Sequence, residues 1–199
     1  MRAFLWARAG VLPGRGQECG GERATRRGDR GGAVAVRALI LGGARSGKSA
    51  FAERLASSLG GERVLYVATA LADGDEDLQR RIRLHRKRRP CGWGTLEIRG
   101  LDEVLKAAEQ WEAVLLDSLT LWVSAREELA LPEFDRFLTR AGDLTVPFFL
   151  VSDEVGLGVV PESEAGRKFR DVLGLVNQRA AVAAEEVHLC VAGVGVRIK

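Results

Sequence analysis

The sequence predicts an α/β fold with a mostly parallel central sheet, helices on both faces and a C-terminal antiparallel hairpin. Short apolar segments alternate with segments of helical periodicity along most of the chain. The apolar segments lack internal polar residues, as strands buried on both faces of a parallel sheet do. A phosphate-binding motif joins the first strand to the first helix, so the predicted fold is P-loop NTPase-like.

The predicted elements follow one another in a regular order. The first helix, 48–59, carries Phe51, Leu55 and Leu59 on one face at four-residue spacing. The strands are predicted at 38–41, 64–68, 113–116 and 147–151. The other helices are predicted at 103–111, from Pro132 as the first helical residue, and at 163–185. The closing hairpin is predicted from 187–192 and 196–198, which Gly193 and Gly195 separate.

Composition indicates one ordinary globular domain. The chain has 199 residues, of which 46% are hydrophobic and 29% are charged. Its formal net charge of +3 argues for nucleic-acid or membrane binding only if the basic residues are gathered in one place. No apolar run approaches the roughly 20 residues that span a bilayer, so no membrane span is expected.

The cysteines give a prediction about location. Cys19, Cys91 and Cys190 are widely separated, and their spacing suggests neither a disulfide framework nor a zinc site. A reducing cytoplasm is therefore the expected compartment.

Residues 1–33 are expected to be a disordered extension that precedes a domain at 34–199. They are dense in Gly and Arg and show no sustained periodicity. Two explanations stay open: a basic tail that touches nucleic acid, or a passenger segment from a translation start placed too far upstream. The second is favoured, because 33–41, which ends in the apolar strand 38–41, is interpreted as the buried first segment, and catalytic cores of this kind usually start there.

The clearest motif fits G-x-x-x-x-G-K-S/T and lies directly between a strand and a helix. Its residues are Gly42, Gly43, Ala44, Arg45, Ser46, Gly47, Lys48 and Ser49. In this position backbone N–H groups and the helix dipole favour bound phosphate. We expect Lys48 to reach the β- and γ-phosphates of GTP or ATP as a catalytic residue, and the Ser49 hydroxyl to bind Mg²⁺. The alternative, a glycine-rich turn with an incidental lysine, is disfavoured because both flanking elements agree with the motif.

Asp117 is the second candidate for Mg²⁺. It ends the apolar strand 113–116, where the acidic residue of a P-loop enzyme orders the metal shell. Asp is also a favoured helix N-cap, and a helical stretch follows. Both roles stay open.

A dense group of cations surrounds His85. They are Arg80, Arg81, Arg83, Arg86, Lys87, Arg88 and Arg89. Cations crowded on one helix repel each other, which implies an anionic partner. They also disfavour a charged imidazolium and would hold a triphosphate, so His85 is a candidate nucleophile or general base.

Two other interpretations of this segment stay open. One helical stripe contains Leu78, Ile82, His85 and Arg89, so the imidazole could instead pack against the core. The cations could also bind nucleic acid, but the aromatic residues that such a surface interleaves are absent, and only Trp93 is close.

The sequence resembles the bifunctional adenosylcobinamide kinase and adenosylcobinamide-phosphate guanylyltransferase family of cobalamin biosynthesis. The resemblance covers the chain from Ala38 to Lys199 and rests on several motifs in the same order. These are LILGGARSGKS, YVATA, RIRLHRKRRP, LLDSLTLWVS, VSDEVGLGVVPESEAGRKFRDVLGLVNQRAA and GVGVRIK. Their number makes the resemblance far more specific than the phosphate motif alone.

The resemblance implies an enzyme with two steps. ATP or GTP phosphorylates adenosylcobinamide, and GMP from GTP is then carried on a histidine, here His85, to the new phosphate. The resemblance further implies nucleotide contacts from the phosphate motif and from Thr69, Ala70, Arg86, Lys87, Arg88, Arg89, Glu97 and Asp117. It also implies a homo-oligomer with the active site near a subunit boundary.

The sequence departs from the family pattern in three places. Leu84 stands before His85, where family members often have a second histidine. Asp153 stands where an asparagine is common, and Ser124 to Arg126 follow the LTLW motif, where an asparagine is frequent. Two functional alternatives stay open: a P-loop kinase of another small alcohol without guanylyl transfer, and a basic nucleic-acid-binding P-loop NTPase.

Overall fold

The computed structural model describes residues 36–69 and 89–199. Its strands are β1 (Val36–Gly42), β2 (Val64–Ala68), β3 (Gly94–Glu97), β4 (Ala113–Asp117), β5 (Phe148–Asp153), β6 (Ala184–Val191) and β7 (Val194–Arg197). Its helices are α1 (Lys48–Gly60), α2 (Leu101–Ala108), α3 (Leu119–Arg126), α4 (Ala130–Ala141) and α5 (Glu164–Ala183), with a 3₁₀ turn at Glu127–Leu129.

The seven strands form one sheet in the order β3-β2-β4-β5-β1-β6-β7. Strands β1 to β6 pair in parallel, and β6 and β7 form an antiparallel hairpin. The strand that leads into the phosphate motif, β1, lies between β5 and β6. The predicted fold class is therefore confirmed.

Both faces of the sheet are covered, which explains why the strands show no polar alternation. Along β1, Leu39 faces one buried cluster and Ile40 faces the other. Helices α2, α3, α4 and α5 pack on the Leu39 side, and α1 packs on the Ile40 side through Ala52 and Ala56. Because successive strand residues point to opposite faces, a strand covered on both must be apolar throughout.

Several predicted boundaries were wrong, and one strand was missed. Strand β3 was not predicted because it is a four-residue edge strand that contains Gly94. The Trp111 ring packs on that glycine, whose Cβ, if present, would lie 2.3 Å from the ring. Helix α4 begins at Ala130, so Pro132 is its third residue and not its first. Helix α5 ends at Ala183, and β6 begins at the next residue.

Three further expectations concern the chain as a whole. The expected disordered extension, 1–33, lies outside the described residues. Among the described helices, none is long and apolar enough to cross a membrane. Among the described cysteines, Cys190 is a buried free thiol.

Candidate functional site

The predicted nucleotide-contact residues that the structure describes lie at one edge of the sheet. Because β1 to β5 run in parallel, their carboxyl ends meet at that edge. Glu97 ends β3, Thr69 follows β2, Asp117 ends β4 and Gly42 ends β1. Four strands far apart in sequence therefore bring their predicted site residues to the same side of the fold.

The phosphate motif forms a tight loop between β1 and α1. Arg45 and Gly47 have φ values of 59° and 90°, and the Ser46 N–H donates to the Gly43 carbonyl at 3.2 Å. A Cβ at Gly42 would lie 2.5 Å from Ser46 Oγ, so only glycine fits there. Ser46 Oγ itself is buried and has no hydrogen-bond partner in the described parts of the chain. An unsatisfied buried oxygen in a loop that opens α1 is consistent with a polar ligand at this place.

The loop lysine is held by an acid from the neighbouring strand. Lys48 Nζ lies 2.5 Å from Asp153 Oδ1 and 3.3 Å from the Gly43 carbonyl oxygen. The Asp153 backbone is fixed on both sides, since its N–H donates to Thr120 Oγ1 at 2.7 Å and its carbonyl accepts from Asn177 Nδ2 at 3.1 Å. Asp153 is thus the counter-ion of Lys48. Sequence reasoning noted Asp153 only as a departure from the family pattern.

This ion pair gives a prediction about nucleotide affinity. Asp153→Asn removes the carboxylate that competes with phosphate for Lys48, so we expect the Kd for a non-hydrolysable GTP analogue to fall by roughly fivefold, the equivalent of ~1 kcal/mol for a partly exposed ion pair. Isothermal titration calorimetry measures it. The control is Asp143→Asn. It also removes one carboxylate charge, but before the amino end of β5, whereas Asp153 lies at the carboxyl end. Equal affinities in the two variants would contradict the prediction.

Asp117 is fixed by hydrogen bonds around the end of β4. The Tyr66 hydroxyl donates to Asp117 Oδ2 at 2.9 Å. Burial, and after it the Asp117 charge, raise the pKa of Tyr66 well above its usual value, so the hydroxyl keeps the proton that it donates. The N-cap of α3 is Ser118, whose Oγ accepts from the Leu121 N–H at 3.3 Å. The capping role considered for Asp117 is therefore wrong.

The other predicted nucleotide contacts differ in burial. Thr69 is buried; its Oγ1 donates to the Ser118 carbonyl at 2.6 Å and accepts from the Ser118 N–H at 3.0 Å. Glu97 is exposed at the end of β3. Arg89 borders a cleft of about 300 Å³ beside α1, which is lined by Ala50, Glu53, Arg54, Ser57, Arg89, Pro90 and Trp93.

Five predicted site residues cannot be placed in this geometry. Ala70, His85, Arg86, Lys87 and Arg88 lie outside the described residues. Their predicted roles stay predictions.

The C-terminal hairpin contacts the phosphate loop, which sequence reasoning did not foresee. The turn between β6 and β7 has positive φ at Ala192 and Gly193, as the tight turns that suit hairpins require. The Gly193 N–H donates to the Ser46 carbonyl at 2.9 Å, and a Cβ at Gly47 would lie 3.0 Å from Gly193 Cα. The only sequence signal for this contact is the pair of glycines near the C-terminus.

The hairpin also packs on α1, and this packing predicts the effect of a small substitution. At Gly195 a Cβ would lie 2.4 Å from the Phe51 ring in α1. We expect Gly195→Ala to lower the free energy of unfolding by about 1–3 kcal/mol through overpacking. It should also weaken nucleotide binding, because the displaced turn no longer supports Ser46.

The matched control is Gly174→Ala in α5, where no atom lies within 4 Å of the added methyl. It should stabilise the protein by about 0.5–1 kcal/mol, as alanine does in a helix interior. Thermal unfolding and nucleotide titration measure both effects. Equal behaviour of the two variants would show that the hairpin does not support the loop.

Comparison with known proteins identifies the family. Residues 38–198 match the family described as cobinamide kinase / cobinamide phosphate guanyltransferase. The chain belongs to this family. The match includes the phosphate loop, the basic segment and the C-terminal hairpin, and it confirms the resemblance seen in the sequence motifs.

Members of this family with high identity cover the same region. The chain is 44% identical over 171 residues to the bifunctional adenosylcobalamin biosynthesis protein CobP of Pseudomonas aeruginosa, covering 82% of this chain and 98% of that protein. It is 39% identical over 181 residues to the bifunctional adenosylcobalamin biosynthesis protein CobU of Escherichia coli, covering 81% and 98%. Nearly the whole length of both relatives is thus represented.

Among solved structures, one ATPase domain is similar with a TM-score of 0.50. The sequence identity is 12%, and the alignment covers 79% of this chain and 69% of that one. At this identity the similarity concerns the fold alone, and it agrees with the parallel sheet and the phosphate loop.

Proposed function

We propose that this protein is a bifunctional enzyme that phosphorylates adenosylcobinamide and then transfers GMP from GTP to the new phosphate. The observation that carries the proposal is a phosphate loop with Lys48 at the carboxyl edge of the sheet, in a chain whose residues 38–198 match a kinase and guanyltransferase family. The names of the relatives from Pseudomonas aeruginosa and Escherichia coli, both described as bifunctional, support it.

In the kinase step, the hydroxyl oxygen of the aminopropanol arm attacks the γ-phosphorus of ATP or GTP. The bond from that phosphorus to the bridging oxygen breaks, the nucleoside diphosphate leaves, and the hydroxyl proton passes to solvent. Lys48 exchanges Asp153 for the β- and γ-phosphate oxygens, and the backbone N–H groups of the loop hold the remaining negative charge. The loop thereby orients the γ-phosphorus toward the corrinoid.

The described residues fit Mg²⁺. Asp117 presents a carboxylate, of which one oxygen accepts from Tyr66, and Ser49 presents a hydroxyl in the first turn of α1. Hard oxygen ligands of this kind are those that Mg²⁺ prefers beside phosphates. When bound, Mg²⁺ neutralises charge on the phosphate oxygens.

In the guanylyl step, we infer that a ring nitrogen of His85 attacks the α-phosphorus of GTP and pyrophosphate leaves. A phosphate oxygen of adenosylcobinamide phosphate then attacks the same phosphorus, which releases His85 and gives adenosylcobinamide-GDP. Arg86, Lys87, Arg88 and Arg89 would hold the departing pyrophosphate. The family resemblance and the cation density of this segment support these roles.

The remaining parts of the proposal concern the cellular location and the oligomeric state of the enzyme. The family resemblance supports action in the cytoplasm as a homo-oligomer with the active site near a subunit boundary. Sedimentation velocity measures the oligomeric state, and a monomer at micromolar concentration would overturn that part.

The test of the proposed function is a product assay. The protein is incubated with adenosylcobinamide, GTP and Mg²⁺, and corrinoids are separated and weighed by mass spectrometry. Adenosylcobinamide phosphate should appear first and adenosylcobinamide-GDP second, with one pyrophosphate per GDP adduct.

Other outcomes identify the alternatives. Phosphorylation without pyrophosphate indicates a kinase alone, and absence of any corrinoid product indicates another substrate. Salt-sensitive DNA or RNA binding without corrinoid turnover indicates a nucleic-acid-binding NTPase.

A further inference from the structure

Tyr66 lies between two of the groups assigned above to nucleotide binding. It is in β2, is only 6% exposed, and pairs with Thr95 of β3 on one side and Leu115 of β4 on the other. Its hydroxyl donates to Asp117 Oδ2 at 2.9 Å. The guanidinium carbon of Arg89 lies 3.7 Å from the centre of its ring. One side chain therefore contacts both the candidate metal ligand and a candidate phosphate ligand.

We propose that Tyr66 is a positioning residue for the triphosphate site, whose hydroxyl orients the Asp117 carboxylate and whose ring orients the Arg89 guanidinium. The inference rests on the proposed function in one respect only, namely that Asp117 and Arg89 act on a metal-bound nucleotide. It adds Tyr66 to the residues of the site, and substitutions can separate the effect of its hydroxyl from the effect of its ring.

The hydroxyl acts on Asp117 through one oxygen. A carboxylate at the end of a strand can rotate about its Cβ–Cγ bond, and a hydrogen bond to Oδ2 fixes that rotation and leaves Oδ1 for the metal. Outer-shell hydrogen bonds of this kind contribute about 10–100-fold to metal affinity. The donor is itself fixed, because a buried Tyr hydroxyl needs a partner, and this one is bonded to Asp117.

The ring acts on Arg89. A planar guanidinium stacks on an aromatic face, where the ring quadrupole attracts it. The Arg89 Nη1 also donates to Thr95 Oγ1 at 3.2 Å, so the plane of the guanidinium is held from two directions. A guanidinium held in this way has a fixed orientation.

Core packing alone does not require the hydroxyl of Tyr66. Its neighbours in the same buried cluster include Val64, Trp93 and Phe149, all apolar, and a phenylalanine would fill the same volume. Removing the hydroxyl and removing the ring therefore separate the two effects.

The first test variant is Tyr66→Phe, which keeps the ring. Calorimetric titration with a non-hydrolysable GTP analogue gives the Kd at a series of Mg²⁺ concentrations and without Mg²⁺. We expect the Mg²⁺ concentration for half-maximal enhancement of binding to rise about tenfold, while the Kd without Mg²⁺ stays within twofold of the parent. The Tyr66 effect should vanish in an Asp117→Asn background.

The second test variant is Tyr66→Leu, which removes the ring as well. We expect the same Mg²⁺ effect together with a several-fold weaker Kd without Mg²⁺, because Arg89 loses its support. Phe149→Leu, a substitution in the same cluster, controls for packing and should lower Tm without changing either binding quantity.

The inference is overturned if Tyr66→Phe leaves the Mg²⁺ dependence of binding unchanged, or if Phe149→Leu reproduces both effects. These measurements use binding and not turnover. A failure of the proposed function would appear in the corrinoid product assay while the Mg²⁺ dependence of binding still decides the role of Tyr66.

Discussion

Lys48→Ala is expected to lower kcat/KM for adenosylcobinamide phosphorylation by roughly 10³-fold, the effect of removing one preorganised group that stabilises transition-state charge. Lys48 is the motif lysine of the phosphate loop and is already held at the loop by the Gly43 carbonyl and Asp153. Without it, charge that develops on the β- and γ-phosphate oxygens loses the counter-ion that the motif lysine would supply. Steady-state assays with ATP and with GTP measure the effect.

The control for this substitution is Lys168→Ala. Lys168 is an exposed residue of α5 that pairs with Glu164 one turn earlier. Its removal should change kcat/KM by less than twofold and stability by a few tenths of a kcal/mol at most. If Lys48→Ala keeps a tenth or more of the parent activity while Lys168→Ala is silent, the loop is not the kinase site.

His85→Ala is expected to abolish guanylyl transfer while kinase activity persists. Loss of a covalent nucleophile removes the path through a GMP-enzyme, whereas the phosphate loop still binds the phosphoryl donor. Adenosylcobinamide phosphate should therefore accumulate, and pyrophosphate release from GTP should fall at least 10³-fold. Separation of corrinoids after reaction with GTP measures both quantities.

The other histidine provides the matched control. His188 is buried in β6, lies 3.0 Å from Glu186 through Nε2, and packs on the Phe51 ring. His188→Gln keeps a polar partner for Glu186 and should retain both activities, with a lower Tm. Loss of guanylyl transfer in His188→Gln but not in His85→Ala would reverse the assignment.

The sheet was predictable because parallel strands that are covered on both faces must be apolar along their whole length. A strand such as β4 (Ala113–Asp117) is covered on both faces, so every residue before its last is apolar, and the sequence displays this directly. The phosphate loop was predictable for a similar local reason, since a strand, eight motif residues and a helix follow one another without interruption. Strand β3 was missed because an edge strand of four residues gives too short a pattern.

The partners within the site were not predictable, because they are long-range contacts. Lys48 meets Asp153 from β5, and Tyr66 meets Asp117 across 51 positions in sequence. No local periodicity relates residues that are brought together only by strand order. The support of Ser46 by Gly193 has the same origin, since it depends on β6 lying beside β1.

The N-cap residue of α3 could not be predicted from the local sequence. Asp117 and Ser118 are both favoured N-cap residues, and the sequence alone does not distinguish them. The structure gives the cap to Ser118, and Tyr66 binds Asp117 instead. The register between β2 and β4 decides which of the two neighbouring residues is available at the edge of the sheet.

The central claim is that one chain combines a phosphate loop with a histidine that carries GMP. It is tested most directly by incubating the protein with GTP labelled at the α-phosphate and Mg²⁺, without corrinoid, and isolating the protein under denaturing conditions. The account predicts a protein-bound label that is labile in acid and stable in base, as a phosphoramidate is, and that is absent from His85→Ala. A label that persists at the parent level in His85→Ala would contradict it.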